Sequence, residues 1–122
     1  MLQFDEYKVK LNNIVPDLDD LDQALGLEAA AREVEMLESE SASDGFWNNL
    51  EKAQKVQQRI SQLKGKLEGQ ERRRNEWSDL MTLCEMGNEE EDDSLLPELE
   101  EGFAKLEADI EEARLSSLLT GE

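Results

Sequence analysis

The stretch Leu50–Met86, LEKAQKVQQRISQLKGKLEGQERRRNEWSDLMTLCEM, runs without a proline. Within it Ala53, Val56, Ile60, Leu63 and Leu67 recur at alternating spacings of three and four. The same phase continues through Gln70, Arg74, Trp77, Met81 and Cys84. That spacing lines one side of a helix and leaves polar residues on its flanks. At 1.5 Å per residue the helix would be roughly 55 Å long. A helix with one narrow apolar seam has to bury it against other helices, so the segment predicts an all-α protein. Its middle is poor. Gly65 and Gly69 each lower helix propensity by about 0.8–1 kcal/mol relative to alanine, and Gln70 and Arg74 stand on the seam itself. Packing is expected to loosen or to change partners there. The charged surroundings of Gly65 and Gly69 rule out a membrane dimer motif.

The flanking sequence repeats the pattern. Phe4, Tyr7, Leu11, Ile14, Leu18, Leu21 and Leu25 form one seam, and Leu27, Ala30, Val34 and Leu37 a second. Leu99, Phe103, Leu106, Ile110 and Ala113 form another. A first helix is expected from about Asp5, as N-cap, to Leu25, with Gly26 as its stop. Pro16 should bend it without breaking the apolar phase. A second helix should cover Leu27 to about Glu40 and dissolve in Ser41–Gly45, after which Asn48 or Asn49 caps the long helix. Gly87-Asn88 is expected to end that helix, Glu89–Asp93 to form the turn, and Ser94 to cap a fourth helix with Pro97 in its first turn. Thr120-Gly121-Glu122 closes the chain. The predicted architecture is an antiparallel bundle of four helices in one domain, residues 1–122. The third and fourth form a long hairpin, and the front of the third is left for the first and second.

Composition bounds what such a bundle does. The 122 residues hold no histidine and one cysteine, and the net charge is −18. Without histidine the commonest general base and metal ligand are missing. Cys84, on a seam, reads as an inert core thiol, and a single cysteine excludes an internal disulfide and suits a reducing cytoplasm. No apolar run approaches the length of a membrane span, and the N-terminus lacks the basic-then-apolar order of a secretion signal. Carboxylates three or four apart read as the solvated faces of an acidic bundle. Glu89–Asp93 lacks the ligand spacing of a calcium loop. No catalytic site, cofactor or metal is expected.

Two features carry functional weight. Between Lys52 and Arg74 the chain is net +6, leaving −24 for the rest. Those cations either pair with acidic flanks of neighbouring helices, the favoured reading, or contact a phosphate backbone by charge and shape. The candidate contacts are Lys64, Lys66, Arg72, Arg73 and Arg74. Phe46-Trp47, between two helices, is expected to plug the end of the bundle rather than to face a partner.

Asp44-Gly45-Phe46-Trp47, followed by Ala53-Gln54-Lys55 at the head of a long helix, resembles the amino-terminal helical domain of the bacterial peptide chain release factor 2 family. The closing Leu118-Leu119-Thr120-Gly121-Glu122 is similar to the passage from that domain into the family's mixed α/β core. The likeness covers essentially the whole chain in the same order. It implies translation termination at UGA and UAA codons in the cytoplasm. It also implies docking at the ribosomal stalk base, with contact to the GTPase that recycles release factors. In the family a Ser-Pro-Phe loop reads the codon and a Gly-Gly-Gln loop promotes hydrolysis. Neither tripeptide occurs here, so the likeness is to the first domain alone, expected to be a monomer. The alternative is a self-associating coiled-coil adaptor unrelated to translation, which would need a seam that Gln70 and Arg74 interrupt.

Overall fold

The computed structural model describes residues 1–120, so Gly121 and Glu122 of the closing segment lie outside the described residues. It is all-α, with no strand among the described residues. The helices are α1 (Leu2–Asn13), α2 (Val15–Ala24), α3 (Leu27–Ser41), α4 (Leu50–Glu90) and α5 (Leu96–Thr120). Helices α1 and α2 are the two halves of the first predicted helix, so the molecule is built from four rods. The long hairpin is α4 and α5.

The bend falls at Ile14, whose φ of −91° and ψ of −3° interrupt the ladder. Pro16 follows in the first turn of α2, where its missing N–H costs little. The indole of Trp77 donates to the Leu11 carbonyl at 2.6 Å, holding the bend against α4. The apolar phase survives it: Leu11, Ile14, Leu18 and Leu21 are all buried. Helix α1 begins before Asp5, because the Asp5 amide donates to Met1 O and continues the ladder. Gly26, at φ 62° and ψ 41°, turns the chain from α2 into α3.

Asn49 is the residue that caps α4: its Oδ1 accepts from the Lys52 amide at 3.1 Å. The helix does not stop at Gly87-Asn88. It runs to Glu90 and closes with Glu91 in the left-handed region, the Asp92 amide returning to Gly87 O at 3.1 Å. Gly87 is instead a notch for Phe4: a Cβ there would sit 2.3 Å from the ring. Asp92, not Ser94, then caps, accepting from the Ser94 amide at 3.0 Å ahead of the short turn Asp93–Leu95. Pro97 falls in the first turn of α5, as expected.

The rods meet in two cores. One joins Phe4, Leu11, Ile14, Leu18 and Leu21 to Leu80 and Cys84 of α4 and to Leu99, Phe103, Leu106, Ile110 and Ala113 of α5. The other joins Ala30, Val34 and Leu37 of α3 to Ile60 and Leu63 of α4. Helices α1 and α3 therefore lie on successive lengths of α4, α1 from Phe4 beside Gly87 and α3 in the core it shares with Ile60 and Leu63, while α2 between them packs chiefly on α5. The first predicted helix packs on the rear of α4, not its front; only α3 takes the front. Tyr7 meets Phe103 edge-on, ring centroids 5.5 Å apart, so α1 also docks on α5. The middle of α4 is where its packing partners change.

Candidate functional site

The basic stretch lies along α4, and most of its charge is answered within the molecule. Lys52 reaches Glu40 at 3.3 Å and Lys64 reaches Glu38 at 3.3 Å. The Arg59 guanidinium grips Glu33 through Nε at 2.7 Å and Nη2 at 3.1 Å. These contacts join α4 to α3, whose glutamates flank its apolar seam. Lys55 pairs within its own helix with Glu51 at 3.5 Å. Exposed pairs of this kind contribute about 0–1 kcal/mol each, so they orient α3 more than they stabilise it.

The five candidate contacts separate by environment. Arg73 points inward, its side chain only 11% exposed. Its Nη1 donates to Gln70 Oε1 at 3.2 Å, while its Nε lies 3.3 Å from Asp109 Oδ2 of α5 without the angle to donate. Arg74 donates to Asp19 at 3.0 Å and Asp22 at 2.7 Å. Burial alone would lower its pKa; hydrogen bonds to Asp19 and Asp22 outweigh that and push it up. Lys64 is half-exposed beside Glu38, and Lys66 borders a groove with Leu25, Gly26, Arg59 and Leu63. Arg72 is exposed, and no hydrogen bond or ion pair holds it among the described residues.

Gln70 is the polar residue the sequence left unexplained. It is 3% exposed and donates to Leu18 O at 2.8 Å and to Asp22 Oδ1 at 2.6 Å. Asp22 thus accepts from Gln70 on one oxygen and from Arg74 on the other. The seam does not lapse at Gln70 and Arg74; it becomes polar where α2 ends. Asp19 and Asp22, one turn apart in α2, were the available signal.

The aromatic pair divides. Phe46 is buried, whereas Trp47 is 55% exposed and stands edge-on to it, centroids 5.1 Å apart. Gly45, at φ 77°, makes the turn that permits this. Phe46 plugs the hairpin between α3 and α4, and Trp47 crowns it. Cys84 is fully buried, and burial pushes its thiol pKa up, opposed by Lys8. Open grooves lie between helices, the one between α4 and α5 lined by Glu76, Asp79, Leu80, Leu83, Glu98 and Glu101. Among the described residues no group of three or more His, Cys, Asp or Glu is placed to hold a metal. No described helix is long and apolar enough to cross a membrane.

The PCRF domain family matches residues 30–122. Among curated relatives, a peptide chain release factor 2 of Lactiplantibacillus plantarum is 32% identical over 120 residues, covering 98% of this chain and 32% of the relative. Another from Acidothermus cellulolyticus is 33% identical over 112 residues, 92% of this chain and 30% of the relative. A third, from Nocardia farcinica, is 32% identical over 108 residues, 86% of this chain and 29% of the relative. The chain spans about a third of the length of the curated relatives it matches. No solved structure gives a significant match.

Proposed function

The chain belongs to the PCRF domain family, and from that premise we propose that it is the helical amino-terminal, ribosome-docking domain of a peptide chain release factor 2, the protein its relatives are named for. In this reading it serves a cytoplasmic class 1 release factor acting at UGA and UAA codons. It holds one end of that factor at the ribosomal stalk base and contributes no catalytic step. Codon reading and peptidyl-tRNA hydrolysis belong to the Ser-Pro-Phe and Gly-Gly-Gln loops, which this sequence lacks. The GTPase that recycles release factors is its second partner.

The observation that carries the reading is the likeness to release factor 2 along 98% of the chain. The structure adds a physical rationale. Both cores consume the seams, so a partner meets a largely polar skin broken by single exposed apolar side chains, among them Trp47, Leu50 and Met36. On that skin Arg72 has its guanidinium available, and half-exposed Lys64 lies about two turns away along α4, whereas Lys66 turns to the groove beside Gly26. Contact with ribosomal RNA phosphate is assigned to this face, centred on Arg72. Arg73 and Arg74 stiffen the same segment through Asp109, Asp19 and Asp22.

The test is binding of the chain to intact ribosomes across a potassium chloride series. Association that weakens with salt is expected, and Arg72→Glu should weaken it further and lower the log–log salt slope by about one. Absence of ribosome binding rejects the docking role. Binding unaltered by Arg72→Glu rejects the phosphate face alone. For the adaptor alternative, sedimentation decides: a concentration-independent monomer eliminates it. Gln70 and Arg74, engaged by α2, leave no continuous apolar seam on α4 for a second copy.

A further inference from the structure

The geometry points to Trp47 as a stacking platform for an unpaired nucleobase of RNA, at the free end of the α3/α4 hairpin. The inference rests on the ribosome-docking reading and adds to it a contact about 35 Å along α4 from Arg72. Two independent observations meet at that end. The first is how the ring is held. Phe46 is buried between α3 and α4, and the turn Phe46–Asn48 is closed by the Asn48 amide, which donates to Gly45 O at 3.1 Å. The Phe46 amide donates back to Ser43 O at 3.3 Å, and Asn49 is committed to capping α4. Trp47 rides on this fixed turn, edge-on to Phe46, with 55% of its surface in solvent. An indole exposed to that extent keeps a face open. Neither its N–H nor the side-chain amide of exposed Asn48 has a hydrogen-bond partner among the described residues. A pre-ordered ring beside a free amide can stack on a base and bond its edge, with little left to order at the moment of binding.

The second observation is charge. Residues 27–66, which make up the hairpin, hold seven carboxylates and six cations, a net of −1, which leaves −17 for the rest of the chain. From Ser41 to Leu50, Asp44 is the one charged residue. At the opposite end of α4, about 60 Å away, residues 85–101 hold nine carboxylates and no cation. A phosphate lattice repels that end and orients the molecule with the tip of the hairpin foremost. A basic protein would draw the acidic end instead, so the end that carries Trp47 fits RNA. Its nearest cations, Lys52 and Lys55, are taken by Glu40 and Glu51. What the tip offers is therefore a ring and an amide for a base, with phosphate left to the middle of α4.

Binding of the chain to intact ribosomes, combined with chemical probing of the ribosomal RNA, gives the test. Trp47→Phe should keep the affinity within about twofold, because a ring persists. Trp47→Leu, apolar but without a π face, should weaken it by roughly fivefold or more, with helicity by circular dichroism unchanged. An unpaired base protected by the parent and by Trp47→Phe should become reactive again with Trp47→Leu. Leu50→Ser, which alters the neighbouring exposed apolar side chain, should leave both measurements as in the parent. Leucine serving as well as tryptophan would mean an apolar protein cleft or no contact at all, and overturns the inference. So does an equal loss on Leu50→Ser, a reactivity pattern indifferent to Trp47, or loss of helicity in Trp47→Leu, since the ring would then be core. If the parent itself does not bind, the docking reading fails and the inference with it. If the parent binds and Trp47→Leu binds alike, the inference alone fails.

Discussion

Gly87 illustrates how one missing methyl group decides where a helix can be approached. The Phe4 ring lies where its Cβ would be, with three ring carbons 2.3–2.6 Å from that position. Phe4 is fully buried there, in the larger core. Alanine at Gly87 would gain about 0.8–1 kcal/mol of helix propensity but overpack a filled site, which costs about 1–3 kcal/mol. The ring cannot retreat, so Gly87→Ala should destabilise by about 1–2 kcal/mol. Gly65 sits in the same helix with nothing within 4 Å, and there Gly65→Ala should stabilise by up to about 1 kcal/mol. Urea unfolding followed by circular dichroism reads both. Equal signs for the two substitutions would mean that the Phe4 contact is not what Gly87 serves.

At the scale of an element, the seams announced the rods, and each seam residue of α1 to α5 lies on the buried or half-buried side. Less legible was which rod meets which. A three-and-four pattern states that a face is buried and nothing about its partner, so the docking of α1 on the rear of α4 had to await Phe4 in its notch. Gly87-Asn88 misled for the same reason. A glycine that ends a helix and one that admits a ring read alike in sequence. Gln70 and Arg74 looked like lapses because their acceptors, Leu18 O, Asp19 and Asp22, stand about fifty residues away. For the candidate contacts, charge sign was readable; that Arg73 turns inward and Arg72 outward was not. Asn48 and Asn49 were equally good caps on paper, and backbone geometry chose Asn49, at φ −108° and ψ 95°. Asn49→Ala should therefore cost about 1 kcal/mol, whereas Asn48→Ala should stay within about 0.5 kcal/mol of the parent. Thermal unfolding of the two variants distinguishes them, and a larger loss at Asn48 would reassign the cap.

At the scale of the whole molecule, the two cores are unequal: one is the base, built from α1, α2, α5 and the rear of α4, and the other the arm, built from α3 and the front of α4. The base core holds twelve buried residues including Phe4 and Phe103, drawn from α1, α2, α4 and α5. The arm core holds five, none aromatic, from α3 and α4 alone. Less apolar area per residue leaves the arm with less to offset its conformational entropy, and a helical pair without a third rod stands near the limit of independent stability. The arm should thus open without the base. In native-state hydrogen exchange, amides of α3 and of α4 before Gly65 should exchange through a lower-energy opening than those of α5 and the rear of α4. Leu63→Ala, removing a buried side chain from the arm core, should cut arm protection by about 2–5 kcal/mol and leave base amides as they were. Leu106→Ala, in the base core, should lower both sets, because the arm has no support of its own once α2 and the rear of α4 unfold. Equal loss across all amides on Leu63→Ala would mean that the molecule unfolds as one unit. Loss confined to the arm would establish that α4, although one uninterrupted helix, passes through two regions of different stability, with Gly65 and Gly69 at the border.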